Sequence, residues 1–435
     1  MFADAIITLL ITLASVSAAP AFEPRWQPAD SHVADLFKRG GSDPSDPNWA
    51  SSYPAGGVTP PSSSIPAAWL AKLASISLPN VQPSTQNNGY PTYANGESGA
   101  DSTICSFTYG CTTSDDLFNP PAGVLALTFD DGPAAGSDQL YTFLEQNGAS
   151  AKATHFMIGG SILGNPTMMQ RAFSDGGLIA VHTWSHPYMT TLSNNDVVAE
   201  LGWTMQIISD LTGGRLPLYW RPPFGDVDNR VRAIAKGVFG LETVPWNQDS
   251  ADWAIGNNPA YTISGVEATM DGWLTGSKSP GLCILEHELN NNTVGVFMAE
   301  YPKMVSNGWD VKTVADAWSM DWYQNADSNT DTVTSMSIAG GSGASTNASS
   351  SVSGSASSSA SASASSSTSA SVSSTSSVSA ASPTSVSVAA ASGSAKAAAS
   401  VSAAAAAQSS KSAANPLVTV SGWATVLGLV AALVV

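Results

Sequence analysis

Two aspartates stand side by side in the stretch LTFDDGP, Asp130 and Asp131, directly after an apolar run. Side chains alternate across a strand, so adjacent carboxylates normally face opposite ways, and like charges repel. A pair at the mouth of a strand asks for positive charge nearby and for a local break in the strand, which Gly132-Pro133 signals. Further along, HTWSH places His182 and His186 at i,i+4, a spacing at which two imidazoles can share one face. Together with Asp131 they form a donor set that suits zinc with open positions for water. Singly, each signal has an ordinary reading. Asp130 could be a turn or capping residue, Arg221 of WRPPFG a partner for any carboxylate, and Phe224 and Trp253 core aromatics.

The placement of these residues is more informative than their identities. Asp130-Asp131, His182 with His186, Arg221, Asp249 in WNQDSADW and His287 in ILEHE each follow an apolar run of strand length. Of the five histidines, three lie in this set; His155 sits inside an apolar run and reads as core, and His32 as surface. The runs VLALTF, ATHFMI, LIAVHT, PLYWR, LETVPW and LCILEH alternate with amphipathic stretches such as GSDQLYTFLEQNG, closed by Gly148. The stretch SNNDVVAELGWTMQIISDLTGG opens at Ser193 and Asp196 and stops at Gly213-Gly214. Strand–helix alternation predicts an α/β fold with a parallel sheet. Six or seven such units suit a small or irregular barrel, in which functional residues collect where strands end.

Composition bounds the rest. Residues 337–415 are almost entirely Ser and Ala, lacking the large apolar side chains that offset folding entropy, so a disordered stalk is expected over 326–415. The region able to build a core is one ordinary domain, placed at 119–325. Residues 19–118, rich in Pro, Ser, Gly and Asn, read as a loosely structured N-terminal extension with one short helix near 67–76. Lys38-Arg39 offers a dibasic processing site, so the extension carries a possible pro-segment to Arg39. Residues 1–18 read as a signal peptide. Residues 416–435 read as a glycosylphosphatidylinositol attachment tail, with attachment near Ser410 and Ser412. The expected location is therefore the cell surface, lipid-anchored to plasma membrane or wall. A net charge of −17 with no basic patch speaks against nucleic acid as a partner, and a monomer is expected. Three cysteines in a secreted chain predict one disulfide, Cys283 with Cys105 or Cys111. Asn291 and Asn347 head glycosylation sequons.

In order, TFDDGP, HTWSH, RPPFG, DSADW and ILEHE resemble the five motifs of the polysaccharide deacetylases of carbohydrate esterase family four, the NodB-homology domain. With a secreted, lipid-anchored layout, the chain most resembles fungal chitin deacetylases. The resemblance covers roughly residues 120–290 and implies a distorted (β/α) barrel of about seven strands. It also implies one divalent metal, zinc or alternatively cobalt, held by Asp131, His182 and His186. Carried over residue by residue, Asp130 would be the general base and His287 the general acid. Arg221 would pair with Asp130, and Asp249 would orient His287. The Phe224 backbone N–H would contribute to an oxyanion hole, with Trp253 and Leu285 lining a pocket for the acetyl methyl. The implied reaction is hydrolysis of N-acetyl groups from N-acetylglucosamine residues of chitin. Alternatives are another acetylated polysaccharide, such as xylan or peptidoglycan, or a non-catalytic wall protein, for which the tail alone would suffice.

Overall fold

A parallel strand is covered on both faces, so it reads as a continuous apolar run, and it needs a crossover to return the chain. The computed structural model describes residues 43–339 and has this rhythm. After an antiparallel hairpin, β1 (Thr85–Asn87) and β2 (Tyr90–Thr92), come β3 (Val124–Ala126), β4 (Thr128–Gly132), β5 (Thr154–Met157) and β6 (Leu178–Val181). These are followed by β7 (Tyr219–Trp220), β8 (Glu242–Thr243), β9 (Gln248–Asp249), β10 (Leu282–Leu285) and β11 (Asp310–Lys312). Every ladder among β3–β11 is parallel. The helices are α1 (Ala67–Ser75), α2 (Ser137–Gln146), α3 (Gly159–Gly164), α4 (Pro166–Ser174) and α5 (Asn194–Leu211). Beyond these lie α6 (Asn229–Phe239), α7 (Ile263–Leu274), α8 (Asn291–Ser306) and α9 (Val314–Trp318). The start signal at Ser193 acts as expected, its side chain accepting from Asp196 N–H at the start of α5; Asp228, not singled out in the sequence, likewise accepts from Val231 N–H at the start of α6.

The strands form two sheets, β4-β5-β6-β7-β8 and β11-β3-β10-β9. Only Leu127 separates β3 from β4, and β4 runs on beside the residues after β10. There Asp130 N–H donates to Glu286 C=O at 2.9 Å and Glu288 N–H to Asp130 C=O at 3.1 Å. The lateral order is thus β8-β7-β6-β5-β4-β10-β9, seven strands with no ladder between β8 and β9. The α/β parallel fold is as expected, and the barrel takes the form of a strand run with a seam. Arg221, fully buried, ties the run together from within: Nε donates to Val244 C=O just beyond β8, while its terminal nitrogens meet Thr128 Oγ1 on β4 and Cys283 Sγ on β10. A single side chain touches these three strands because they curve around it.

Three expectations need correction. The extension is not loose over its described part: Trp49, Tyr53, Ile65 and Trp69 are buried in the main core. Trp69 of α1 meets Trp203 and Phe239 edge-on. A few large side chains scattered among Pro and Gly show no periodicity, yet each stabilises the docked segment by about 1.5–3 kcal/mol once buried. The core also runs past 325. Asn329 donates to Phe173 and Gly177 carbonyls, and Arg215 donates to those of Ser328 and Asp331. Finally, the disulfide joins Cys105 to Cys111, with Cα atoms 5.0 Å apart. Cys283 is a buried thiol on β10, its sulfur 3.3 Å from the Arg221 guanidinium; held in an interior strand, it is not presented to the separate turn that holds the other two. The expected signal peptide and attachment tail, Lys38-Arg39, His32, Asn347 and the serine-rich residues from 340 lie outside the described residues. Asn291 is exposed as the first residue of α8.

Candidate metal centre and active site

Asp130 and Asp131 share one site because the strand breaks its alternation between them. Asp130 pairs with Phe156 and Gly132 with Met157, so Asp131 is an extra residue, a bulge, with a left-handed φ of 71°. Gly132 must be glycine: a Cβ there would fall 1.9 Å from the buried Glu288 carboxylate. Left-handed backbone recurs around the same point, at Thr183, His186, Phe224 and Ala251. Such conformations cost about 1–3 kcal/mol each in non-glycine residues and gather at functional sites.

Asp131 Oδ1 lies 3.3 Å from His182 Nε2 and 3.2 Å from His186 Nε2. Among the described residues, these three side chains are the group of His, Cys, Asp or Glu that could hold a metal ion. Tetrahedral ligands at about 2.1 Å from a cation lie roughly 3.4 Å apart, close to what is found. The tautomer fits as well. Arg221 C=O, 2.8 Å from His182 Nδ1, can only accept, so Nδ1 carries the proton and the Nε2 lone pair faces Asp131. Asp131 Oδ1 is buried with no hydrogen-bond partner. Acceptors converging without a donor are what a cation requires. Burial alone would raise the Asp131 carboxyl, but the imidazoles of His182 and His186 hold it well below the usual range. Burial lowers His186 to about 4, so this ligand is neutral at neutral pH.

The HTWSH loop is braced from behind by Glu200 on α5, a residue with no motif signal. Its carboxylate accepts from Trp184 N–H (2.7 Å), Ser185 N–H (2.8 Å) and the Ser185 hydroxyl (2.6 Å). Asp130, nearly fully buried, accepts from Arg221 at 2.8 Å as expected, and lies 3.8 Å from His182 Nε2. The carboxylate pair thus meets the positive charge that its spacing demanded.

His287 lies opposite Asp130 through a backbone bridge. Its Nδ1 is 2.6 Å from Asp252 Oδ1, and its backbone N–H donates to Asp252 Oδ2 at 2.8 Å. This corrects the expectation for Asp249, whose side chain is exposed and accepts from Ala251 N–H instead. The left-handed turn at Ala251 carries the chain round so that the second acid of DSADW, three residues later, faces the histidine. Burial alone would lower the His287 imidazole, but the charges of Asp252, Asp131 and Asp130 push it up to about 10.

Phe224 stacks on Tyr188 with centroids 4.3 Å apart and meets the His186 ring edge-on at 4.5 Å. It is half exposed, as is Trp253, which follows Asp252. Leu285 is buried on β10, paired with Asp249. His155 is core, as read, with Nδ1 3.4 Å from Glu288.

A parallel α/β frame that brings one Asp/His/His donor set, a buried carboxylate and a carboxylate-paired histidine to the same strand ends has the makings of a metal-assisted hydrolase. The polysaccharide deacetylase family profile matches residues 119–242. Chitin deacetylase 3 of Cryptococcus neoformans var. neoformans serotype D is 58% identical over 343 residues, covering 78% of this chain and 84% of the relative. The chitin deacetylase of Amylomyces rouxii is 34% identical over 53% of this chain and 55% of its own. The solved chitin deacetylase of Colletotrichum lindemuthianum matches at 26% identity and a TM-score of 0.44, covering 48% of this chain and 94% of that one. The chain belongs to the polysaccharide deacetylase family, carbohydrate esterase family four.

Proposed function

We propose that this protein is a metal-dependent deacetylase that removes N-acetyl groups from N-acetylglucosamine residues of cell-wall chitin, yielding acetate and chitosan. One observation carries the reading: a backbone bridge sets Asp130 and the Asp252-bound His287 side by side at the end of β4, where Asp131 joins His182 and His186 in one donor set. Family membership and a relative of 58% identity named chitin deacetylase support the substrate.

In this reading Asp131, His182 and His186 would hold a divalent cation, zinc by their donor types, which when bound would supply Lewis-acid polarisation of the carbonyl and a lowered pKa for water. Asp130 accepts the proton of the attacking water, its carboxylate held in place and aimed by Arg221. The Phe224 N–H, turned by its left-handed φ of 58°, donates to the developing oxyanion. His287, protonated at neutral pH, donates to the departing nitrogen, and Asp252 fixes its tautomer. Trp253 and Leu285 line the acetyl methyl. Secretion and a lipid anchor at the cell surface complete the proposal, resting on the apolar runs at the two ends of the sequence.

Acetate release from chitin oligomers by the purified protein, with and without chelator and beside Asp130→Asn, tests the reading. Loss in both treatments is expected. Activity surviving both overturns the mechanism, and turnover of acetylated xylan alone overturns the substrate.

A further inference from the structure

We propose that the segment preceding the catalytic core carries a second carbohydrate-binding surface. Tyr109 and Tyr90 form an aromatic track that continues outward from Phe224 and holds remote sugars of a neutral N-acetylglucosamine polymer. The proposal rests on the deacetylase reading for its ligand, and on the following observations for its place.

Among the described residues, four aromatics are largely exposed: Phe224 (51%), Trp253 (48%), Tyr109 (41%) and Tyr90 (37%). Two adjoin the reaction site. The other two belong to the extension, and the chain brings them to the same side. The 3-10 turn Phe107–Tyr109 packs on the 3-10 turn Pro223–Gly225, with the Thr108 hydroxyl 3.5 Å from Gly225 C=O and the Phe107 ring against Gly225. Tyr109 therefore lies one residue beyond a direct contact with the turn that presents Phe224. Tyr90, on β2, meets the Tyr109 ring edge-on at 5.8 Å.

The Tyr109 ring is held although little is gained by burying it. It lies on Gly99, where a Cβ would come within 2.3 Å of the ring, and its hydroxyl donates to Pro91 C=O at 3.0 Å. The Cys105–Cys111 disulfide closes the turn that carries it, and Arg232 donates to Cys105 C=O behind. A solvent-facing aromatic gains its apolar free energy only when something covers it. Fixing it beforehand reduces the entropy lost on binding. The negative π face suits the C–H face of a pyranose ring. The surroundings suit a neutral ligand: residues 73–96 and 102–114 contain no charged side chain, in a chain of net charge −17.

The test is the length dependence of kcat/KM on N-acetylglucosamine oligomers, measured with the full chain, together with its retention on insoluble chitin. Replacing both Tyr90→Ser and Tyr109→Ser is expected to reduce the gain on long over short oligomers by roughly three- to ten-fold, and to weaken retention. Tyr109→Phe keeps the ring and should keep the length dependence; Tyr90→Ser alone, on the exposed hairpin, guards against a folding defect in the double variant. Unchanged length dependence and retention in a folded double variant overturn the proposal, as does a change confined to self-association. If the parent turns over no oligomer but its retention still depends on the two tyrosines, the surface stands and the deacetylase reading falls.

Discussion

His287 is gripped twice by Asp252, through its ring Nδ1 and through its own backbone N–H. The two contacts fix the direction of Nε2 as well as the charge of the ring. Asp252→Asn should lower kcat by roughly 100- to 10,000-fold, while Asp249→Asn should have a much smaller effect. The pH–rate profile gives the sign. Asp252 is a cause of the raised His287 pKa, so its removal should bring the alkaline limb down from near 10 toward neutrality. An equal loss from both substitutions, with no shift of the limb, would reject the assignment.

Metal content should follow the state of the ligands. Asp131 is ionised throughout the neutral range, and His186 stays unprotonated until the pH falls to about 4. Bound metal should therefore be retained from neutral pH downward and released as the pH approaches 4, when protons compete for the imidazole. Equilibrium dialysis against a pH series, read by elemental analysis, checks this; His186→Ala should lose metal at every pH.

Glu200 supports the metal site without touching it. Glu200→Ala would strand three donors in the HTWSH loop, at about 1–3 kcal/mol for each one left buried. Lower thermal stability and weaker metal retention are expected together, with Glu200→Gln in between, since an amide oxygen still accepts. Metal affinity equal to the parent's in the alanine variant would show that the loop holds its shape unaided.

The extension should behave as part of the domain. Trp69→Ala is expected to cost about 3–5 kcal/mol, and loss of the Cys105–Cys111 bridge about 2 kcal/mol, both read by denaturant unfolding. In the native protein, thiol titration should find Cys283 unreactive until denaturant is added, since it is fully buried and burial raises its pKa.

The sequence made the polar ends of the strands legible because each follows an apolar run, and HTWSH offered the two histidines that the structure brings together with Asp131. It did not reveal how Asp130 and Asp131 share a site, because a bulge is a property of pairing with β5 and leaves no local mark beyond the glycine. The resemblance names Asp249 as the partner of His287, whereas a left-handed turn at Ala251, a residue that gives no warning of one, brings Asp252 to it instead. The cysteine pairing failed for a related reason. Three cysteines can be counted, but which two approach each other depends on a strand lying inside the fold. The tryptophans of the extension were visible, yet without periodicity nothing in the sequence indicated that they dock.

Arg221 ties the carbonyl just after β8 to Thr128 on β4 and Cys283 on β10 through the interior of the frame, and also holds Asp130. One guanidinium thereby serves as the clasp of the frame and as the counter-ion of the proposed base. Mechanical closure and proton chemistry cannot drift apart in this protein: a change that loosens the frame at this point also alters the charge beside the reacting water.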